Sequence, residues 1–259
     1  MSAILLENKI VHYEVLGRGR PLLFIHGWVG SWRYWVPVMQ AASTAFRAYA
    51  LDLWGFGDTA KPGYGYGLLQ QVGLVEKFIA QMGISRVALV GHGIGAVVAV
   101  LYALQAASRV DRLMLVAYPF GPDKLSARLR STPQDELMSW LLQRSQDTEP
   151  IFQDAARADS RAVTASLDEL GSLELGSAWQ TIAKPCLFVS GENDLLVSLS
   201  ELESMPAWSH HVVMEGSGHY PMLDESSRFN RLLLDFLSLE SSVSPQQLQL
   251  KEEWKRRVR

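Results

Sequence analysis

The feature that most constrains the fold is an alternation of short apolar, β-branched runs with segments of helical periodicity. Seven runs are typical of strands, at residues 9–16, 21–27, 46–55, 86–93, 112–119, 185–194 and 210–219. Between the third and fourth runs, apolar residues recur at helical spacing from Val72 to Met82, and the segment from Ala96 to Ala107 continues without Gly or Pro. This alternation predicts an α/β fold, with a mostly parallel sheet flanked by helices.

The strand pattern stops over residues 121–183, where helical fragments at 135–145, 151–158 and 160–170 take its place, the last with Gly171 suited to cap it. We therefore expect a small helical cap over residues 121–183, inserted between two parts of one core. Those core parts are 1–120 and 184–240.

The end of the core and the tail have different patterns. Apolar residues from Phe229 to Leu237 fall on one helical stripe, which predicts a helix that closes the core near residue 238. The tail, residues 241–259, predicts a helix that begins near Pro245, and its last nine residues hold five basic and two acidic side chains. A solvated terminal helix and an arm that docks on a partner, as in a homodimer, both remain open.

Composition excludes several classes of partner. The 259 residues hold 24 Lys and Arg against 27 Asp and Glu, a formal net charge of −3, which argues against a nucleic-acid or membrane-surface protein. The one cysteine, Cys186, lies in an apolar run and is expected in the core. We find neither a secretory signal pattern nor an apolar run of about 20 residues, so we expect a cytoplasmic protein that binds a small, weakly charged molecule.

The segment VGHGIGA (90–96) places a Gly-X-X-X-Gly turn where a strand ends and a helix begins. In this context the pattern predicts a nucleophile elbow, whose usual form is Gly-X-Ser-X-Gly. The flanking residues Gly91 and Gly95 are present, but the central position holds Gly93. The turn therefore keeps the glycines that let strand and helix approach, and lacks the reactive side chain.

Four further segments have the motifs and the order of one known family: HGW (26–28), DLWGFGDTAKP (52–62), GENDLLV (191–197) and GSGHYPMLDE (216–225). With the elbow, the chain from about residue 9 to 238 resembles the α/β-hydrolase superfamily. The resemblance implies the α/β-hydrolase fold and a triad of nucleophile, acid and histidine, which fall on Gly93, Asp194 and His219. It also implies an oxyanion hole formed by the backbone N–H groups of Trp28 and Ile94, which loss of the serine leaves in place.

The pattern around the acid and the histidine supports these assignments without the resemblance. Asp194 and His219 each follow an apolar strand, so both are expected at the carboxyl edge of the parallel sheet, where ligands of open α/β folds bind. A carboxylate there can hold an imidazole in one tautomer and stabilise its protonated form, as a general base requires.

Other polar residues are weaker candidates. Asp123 follows a strand end and is an alternative acid, whereas His92 precedes the elbow centre, where the side chain is expected to turn away from the pocket. No spacing of His, Cys and carboxylates suggests a metal site, and no cofactor is implied. Turn or strand-edge roles are expected for Asp58, Thr59, His210 and His211.

The substrate pocket is expected to be aromatic. Aromatic residues flank the motif loops, and we predict that four of them contact a small apolar substrate, although Trp and Tyr in such numbers are also typical core residues. These four are Trp28, Trp32, Phe120 and Tyr220.

A glycine at the elbow centre keeps the fold and removes covalent catalysis. The centre of an elbow has a strained backbone conformation that costs a residue with a Cβ about 1–3 kcal/mol, whereas glycine adopts it freely. Three hypotheses follow, and the first is a hydrolase of an ester, amide or C–C bond whose serine was replaced by Gly93, in nature or by substitution. The second is a non-catalytic protein that binds a ligand or a partner. The third is an enzyme in which His219 acts as a general base without a covalent intermediate.

Overall fold

The computed structural model describes residues 2–200, 205–240 and 243–248. Within them eight strands form one sheet in the order β1-β2-β4-β3-β5-β6-β7-β8. β1 pairs with β2, and β2 with β4, in antiparallel fashion, and every other neighbouring pair is parallel. The strands are β1 Ser2–Leu6, β2 Lys9–Leu16, β3 Arg20–Ile25, β4 Phe46–Leu51, β5 Val87–His92, β6 Val110–Val116, β7 Cys186–Gly191 and β8 Ser209–Met214.

Helices cover the sheet and fill the connections. α3 packs on β5 and β6, α2 packs on α3, and α1 packs on β4 and α10. The α-helices are α1 Val36–Ala42, α2 Leu68–Gln81, α3 Ile94–Gln105, α4 Arg128–Ser131, α5 Gln134–Leu141, α6 Glu149–Ala156, α7 Ser160–Leu170, α8 Leu175–Ala178, α9 Pro221–Asp224 and α10 Ser226–Ser238. Short 3-10 turns occupy Trp32–Trp35, Ala107–Arg109, Pro122–Lys124, Trp179–Thr181 and Pro245–Gln247.

The predicted α/β fold is confirmed, and all seven predicted strands are present. The central strand β5 is buried along its whole length, which explains why it has a continuous apolar run rather than an alternating one. The prediction missed β1, because only Leu6 of its five residues is fully buried and the run is too short to stand out. The helices predicted from residues 72–82, 96–107 and 229–237 correspond to α2, α3 and α10.

The connection between β6 and β7, which we call the insertion, contains α4 to α8 and no strand. Its helices agree with the helical fragments expected there, and its description as a separate cap over 121–183 stays a prediction. Gly171 follows α7 with a φ of −62°, so the turn does not use the left-handed freedom of glycine.

The tail is described only as far as residue 248. Residues 245–247 form a single 3-10 turn, and the rest of the predicted terminal helix, residues 249–259, lies outside the described residues. Among the described helices, none combines the length and the apolar character that a bilayer span requires.

Candidate active site

The carboxyl ends of four parallel strands bring the predicted site residues to one edge of the sheet. β5 ends at His92 and leads into Gly93, and β3 ends two residues before Gly27. β7 and β8 end shortly before Asp194 and His219. Because parallel strands have their carboxyl ends at the same edge, residues far apart in the chain meet there.

The elbow has a backbone that favours glycine. Gly93 has φ 52° and ψ −115°, and its N–H donates to the carbonyl of Val116 at 2.9 Å. A residue with a Cβ is strained at this positive φ. Ile94 is the first residue of α3, so its backbone N–H has no acceptor within the helix and is available to an anionic oxygen.

Asp194 and His219 form a buried hydrogen-bonded pair. Nδ1 of His219 lies 3.0 Å from Oδ1 and 2.9 Å from Oδ2 of Asp194. Oδ1 also accepts the backbone N–H groups of Leu196 and Val197, at 2.8 and 3.0 Å. Because a carboxylate only accepts, the pair fixes the tautomer with the proton on Nδ1. Nε2 of His219 is then an acceptor, and it is buried without a hydrogen-bond partner in the described part of the chain.

His92 connects three parts of the site. Its Nε2 lies 3.0 Å from the backbone carbonyl of His219, which can only accept, so Nε2 carries the proton and Nδ1 accepts from the hydroxyl of Tyr34 at 2.9 Å. That hydroxyl in turn accepts the N–H of Gly27 at 2.5 Å. Burial, together with the nearby His219, lowers the pKa of His92 well below its ordinary value. His92 is therefore a neutral link between the HGW loop, the elbow and the backbone at His219.

Trp28 lies directly beside the elbow. A Cβ built on Gly93 would be 3.1 Å from Cε3 and 3.3 Å from Cζ3 of the Trp28 indole. At its other end, the indole N–H donates to the hydroxyl of Ser166 on α7 at 2.9 Å. Trp28 and Ser166 are both fully buried. The indole therefore joins the centre of the elbow to the insertion.

The other predicted substrate contacts divide into two groups. Tyr220 is fully buried with its ring 5.0 Å from that of His219, and its hydroxyl donates to the carbonyl of Val29 at 2.8 Å. The Trp32 ring lies instead 5.4 Å from the ring of His12, tilted against it, and Phe120 belongs to an aromatic cluster around Phe188. The structure thus places Tyr220 beside His219 and Trp28 beside Gly93, and it places Trp32 and Phe120 against other aromatic rings.

A second buried histidine–carboxylate pair binds the segment that follows the HGW loop. Oδ2 of Asp52 lies 3.0 Å from Nδ1 of His12, and Oδ1 accepts the backbone N–H of Trp32 at 2.9 Å. Burial lowers the pKa of His12, but the hydrogen bond and charge of Asp52 outweigh it, so this pKa lies above its ordinary value. Among the described residues, His12, Asp52 and Asp58 are also close enough to share a metal ion. Since Asp52 is already committed to these bonds and Arg157 pairs with Asp58 at 3.2 Å, the group has a structural explanation.

The weaker candidates lie outside the pair. The Asp123 side chain is 73% exposed and faces Lys124, whereas Asp194 is the acid that contacts His219. Thr59 accepts the backbone N–H of His12 at 2.9 Å and donates to the carbonyl of Asp52 at 3.0 Å. His211 contacts the hydroxyl of Ser190 at 2.9 Å on the β7–β8 face.

The comparisons with known proteins agree with this fold. A family model described as the alpha/beta hydrolase family matches residues 22–232. The chain belongs to this family. It is 26% identical over 259 residues to a pimeloyl-[acyl-carrier protein] methyl ester esterase of Vibrio cholerae. This match covers 87% of this chain and 97% of the esterase.

Two other similarities extend the comparison. A soluble epoxide hydrolase of Corynebacterium sp. is 34% identical over 106 residues, a match that spans 41% of this chain and 37% of that protein. The solved structure of an esterase from Exiguobacterium antarcticum superposes with a TM-score of 0.79 at 20% identity, covering 91% of this chain and 98% of the esterase. At that identity the structural match supports the fold.

Sequence reasoning missed three features of this site. Tyr34 is one of many aromatic residues that flank the motif loops, which gives no sign of its hydrogen bonds, and Ser166 carries no signal, because a serine inside an amphipathic helix is common. The link from His92 to the carbonyl of His219 joins residues 127 positions apart, so no local pattern could show it. A histidine in a fully apolar strand end was the one available hint, since a buried imidazole needs partners for its nitrogens.

Proposed function

We propose that this protein is a hydrolase for an ester, amide or C–C bond of a small apolar molecule, and that it works without a covalent intermediate, with His219 as general base. The observation that carries the proposal is the buried Asp194–His219 pair, whose outward Nε2 has no hydrogen-bond partner among the residues that the structure describes. A buried acceptor without a partner costs about 1–3 kcal/mol, so its retention favours a role in binding or chemistry.

The chemistry follows from the atoms that are present. A water molecule bound at Nε2 gives its proton to the imidazole while its oxygen attacks the carbonyl carbon of the substrate. The negative charge that develops on the carbonyl oxygen is accepted by the backbone N–H groups of Trp28 and Ile94. Asp194 stabilises the imidazolium, which returns the proton to the leaving group as the tetrahedral intermediate collapses and the bond between the carbonyl carbon and the leaving group breaks. This route needs neither a side chain at Gly93 nor a cofactor.

The second candidate function is non-catalytic binding of a ligand. The closed state of the site favours it, because Trp28, Ile94, His219 and Tyr220 are all at most 1% exposed. In this alternative the pair and the oxyanion groups hold a ligand, and no bond is broken.

The test is the hydrolysis of p-nitrophenyl butyrate by the protein and by its His219→Ala variant. General base catalysis contributes about 10²–10⁴-fold, so we expect the variant to lose turnover on that scale. His210→Ala, which removes a histidine of β8 away from Asp194, is the matched control and should retain the parent rate. Equal turnover by the parent and His219→Ala would overturn the hydrolase proposal and leave ligand binding as the better account.

A further inference from the structure

A side chain of this protein lies close against the Cα of Gly93. The benzene edge of Trp28 lies 3.1 Å from the place of a Cβ on Gly93, closer than the ordinary carbon–carbon contact of about 3.5–4.0 Å. A nucleophile side chain at position 93 would begin at this Cβ, in contact with the indole. The indole therefore lies against the elbow side of the site.

The far end of the indole has a defined hydrogen-bond partner. The indole N–H donates to Oγ of Ser166, and the hydroxyl of Ser166 donates to the carbonyl of Val163 at 2.8 Å. Because the hydroxyl proton of Ser166 is already donated within α7, its Oγ can only accept a hydrogen bond from the group that lies against it. The place that the indole fills, which we call the slot, therefore has the flat outline of the ring and the acceptor Oγ of Ser166 at one end.

From this arrangement we propose that Trp28 closes the site, and that the ligand able to replace it is a flat aromatic molecule with one N–H or O–H donor. Such a ligand would enter the slot as the indole turns away, with its ring against Gly93 and its donor on Ser166. The proposal rests on the proposed function in taking His219 as the reactive centre, whereas the shape and the acceptor of the slot do not depend on it.

The same arrangement makes Gly93 and Trp28 a matched pair. A serine at position 93 would place its Cβ against the indole, and the substrate of that serine would meet the ring next. Gly93→Ser alone is therefore expected to leave the new hydroxyl inaccessible. Removal of the indole together with Gly93→Ser should expose it.

The first experiment measures labelling by a fluorophosphonate probe. We expect the Trp28→Ala/Gly93→Ser variant to label about tenfold faster or more than Gly93→Ser alone. Trp32→Ala/Gly93→Ser is the matched control, because it removes an indole from the same loop that does not lie over Gly93, and it should label like Gly93→Ser. Folding of each variant is checked by its circular dichroism and melting temperature.

Three outcomes would overturn the closing role of Trp28. These are equal labelling of Gly93→Ser and Trp28→Ala/Gly93→Ser, equal acceleration by the Trp32 control, and no labelling of any folded variant. Failure of the proposed function is a separate result, because it is read from hydrolysis by the parent and by His219→Ala, without an introduced serine.

The second experiment tests the chemistry of the slot with indole added to the Trp28→Gly variant. Indole should raise the melting temperature of this variant more than benzothiophene, which has the same shape and no donor. The preference should disappear in Trp28→Gly/Ser166→Ala. If Trp28→Gly does not fold, Trp28→Ala provides a smaller cavity for the same comparison. Equal stabilisation by both compounds, or stabilisation by neither, would overturn the proposed ligand class.

Discussion

The elbow and the acid–histidine pair lie at the same sheet edge, and they differ in what they retain. The elbow keeps its positive φ at Gly93 and its helix N-terminus, and it has no nucleophile side chain but an indole close against its centre. The pair keeps every atom that a general base requires. This difference shows that the geometry of the acid–histidine pair does not depend on a nucleophile side chain at the elbow.

The two members of the pair also differ in how well the fold explains them. Asp194 accepts two backbone N–H groups of its own loop, so the loop would need this carboxylate even without chemistry. His219 has no such explanation for Nε2, which is buried and meets no hydrogen-bond partner within residues 2–200, 205–240 and 243–248. His219 is therefore the residue on which the functional proposal depends most.

The largest expected effect separates the chemical role of Asp194 from its structural one. In Asp194→Asn the side-chain oxygen still accepts the N–H groups of Leu196 and Val197, but the amide N–H₂ no longer favours a proton on Nδ1 of His219. We expect turnover of p-nitrophenyl butyrate to fall by about 10²–10⁴-fold with little change in melting temperature. Unchanged turnover in the folded variant would show that the pair is structural only.

The next effect compares two glycines of the elbow. A Cβ at Gly95 would lie 2.3 Å from the carbonyl oxygen of Ile25, a backbone atom that cannot move aside. At Gly93 the nearest atoms belong to the side chain of Trp28. Gly95→Ala should therefore reduce the free energy of unfolding by about 3 kcal/mol or more, and Gly93→Ala by about 1–3 kcal/mol. Urea denaturation of both variants gives the comparison, and a larger loss at Gly93 would contradict it.

The smallest expected effect concerns pH and the link at His92. Burial holds the pKa of His92 well below the ordinary 6.5, so below that pH the unfolded chain binds a proton that the folded chain does not. Stability from this group is present above the unfolded pKa and decreases as the pH falls below it. In His92→Gln the loss of unfolding free energy below about pH 6.5 should be shallower by up to ~1.4 kcal/mol per pH unit. Identical slopes in urea denaturation at several pH values would contradict the neutral state of His92.

Much of the fold could be predicted from local patterns. Strands such as β5 are buried on both faces, and such strands appear in a sequence as continuous apolar runs. The positions of Gly93, Asp194 and His219 followed from motifs at strand ends, and the structure brings Asp194 and His219 within hydrogen-bond distance. A short, half-exposed strand such as β1 leaves a weaker pattern and was missed.

What the sequence could not predict is the side-chain packing between distant segments. Trp28 was expected to provide a backbone N–H and a pocket wall, and its contact with Ser166 joins residues 138 positions apart. The direction of the indole relative to Gly93 depends on how the insertion packs on the core, and no local sequence pattern predicts that packing. The closed state of the site is therefore a result of the three-dimensional structure.

The central claim is that His219 activates water directly and that no covalent adduct forms. The most direct measurement is the intact mass of the protein quenched during hydrolysis of p-nitrophenyl butyrate, with His219→Ala measured in parallel. The account predicts turnover that depends on His219, together with a protein mass that stays unchanged throughout. A butyryl adduct during turnover, or turnover that is the same in His219→Ala, would contradict it.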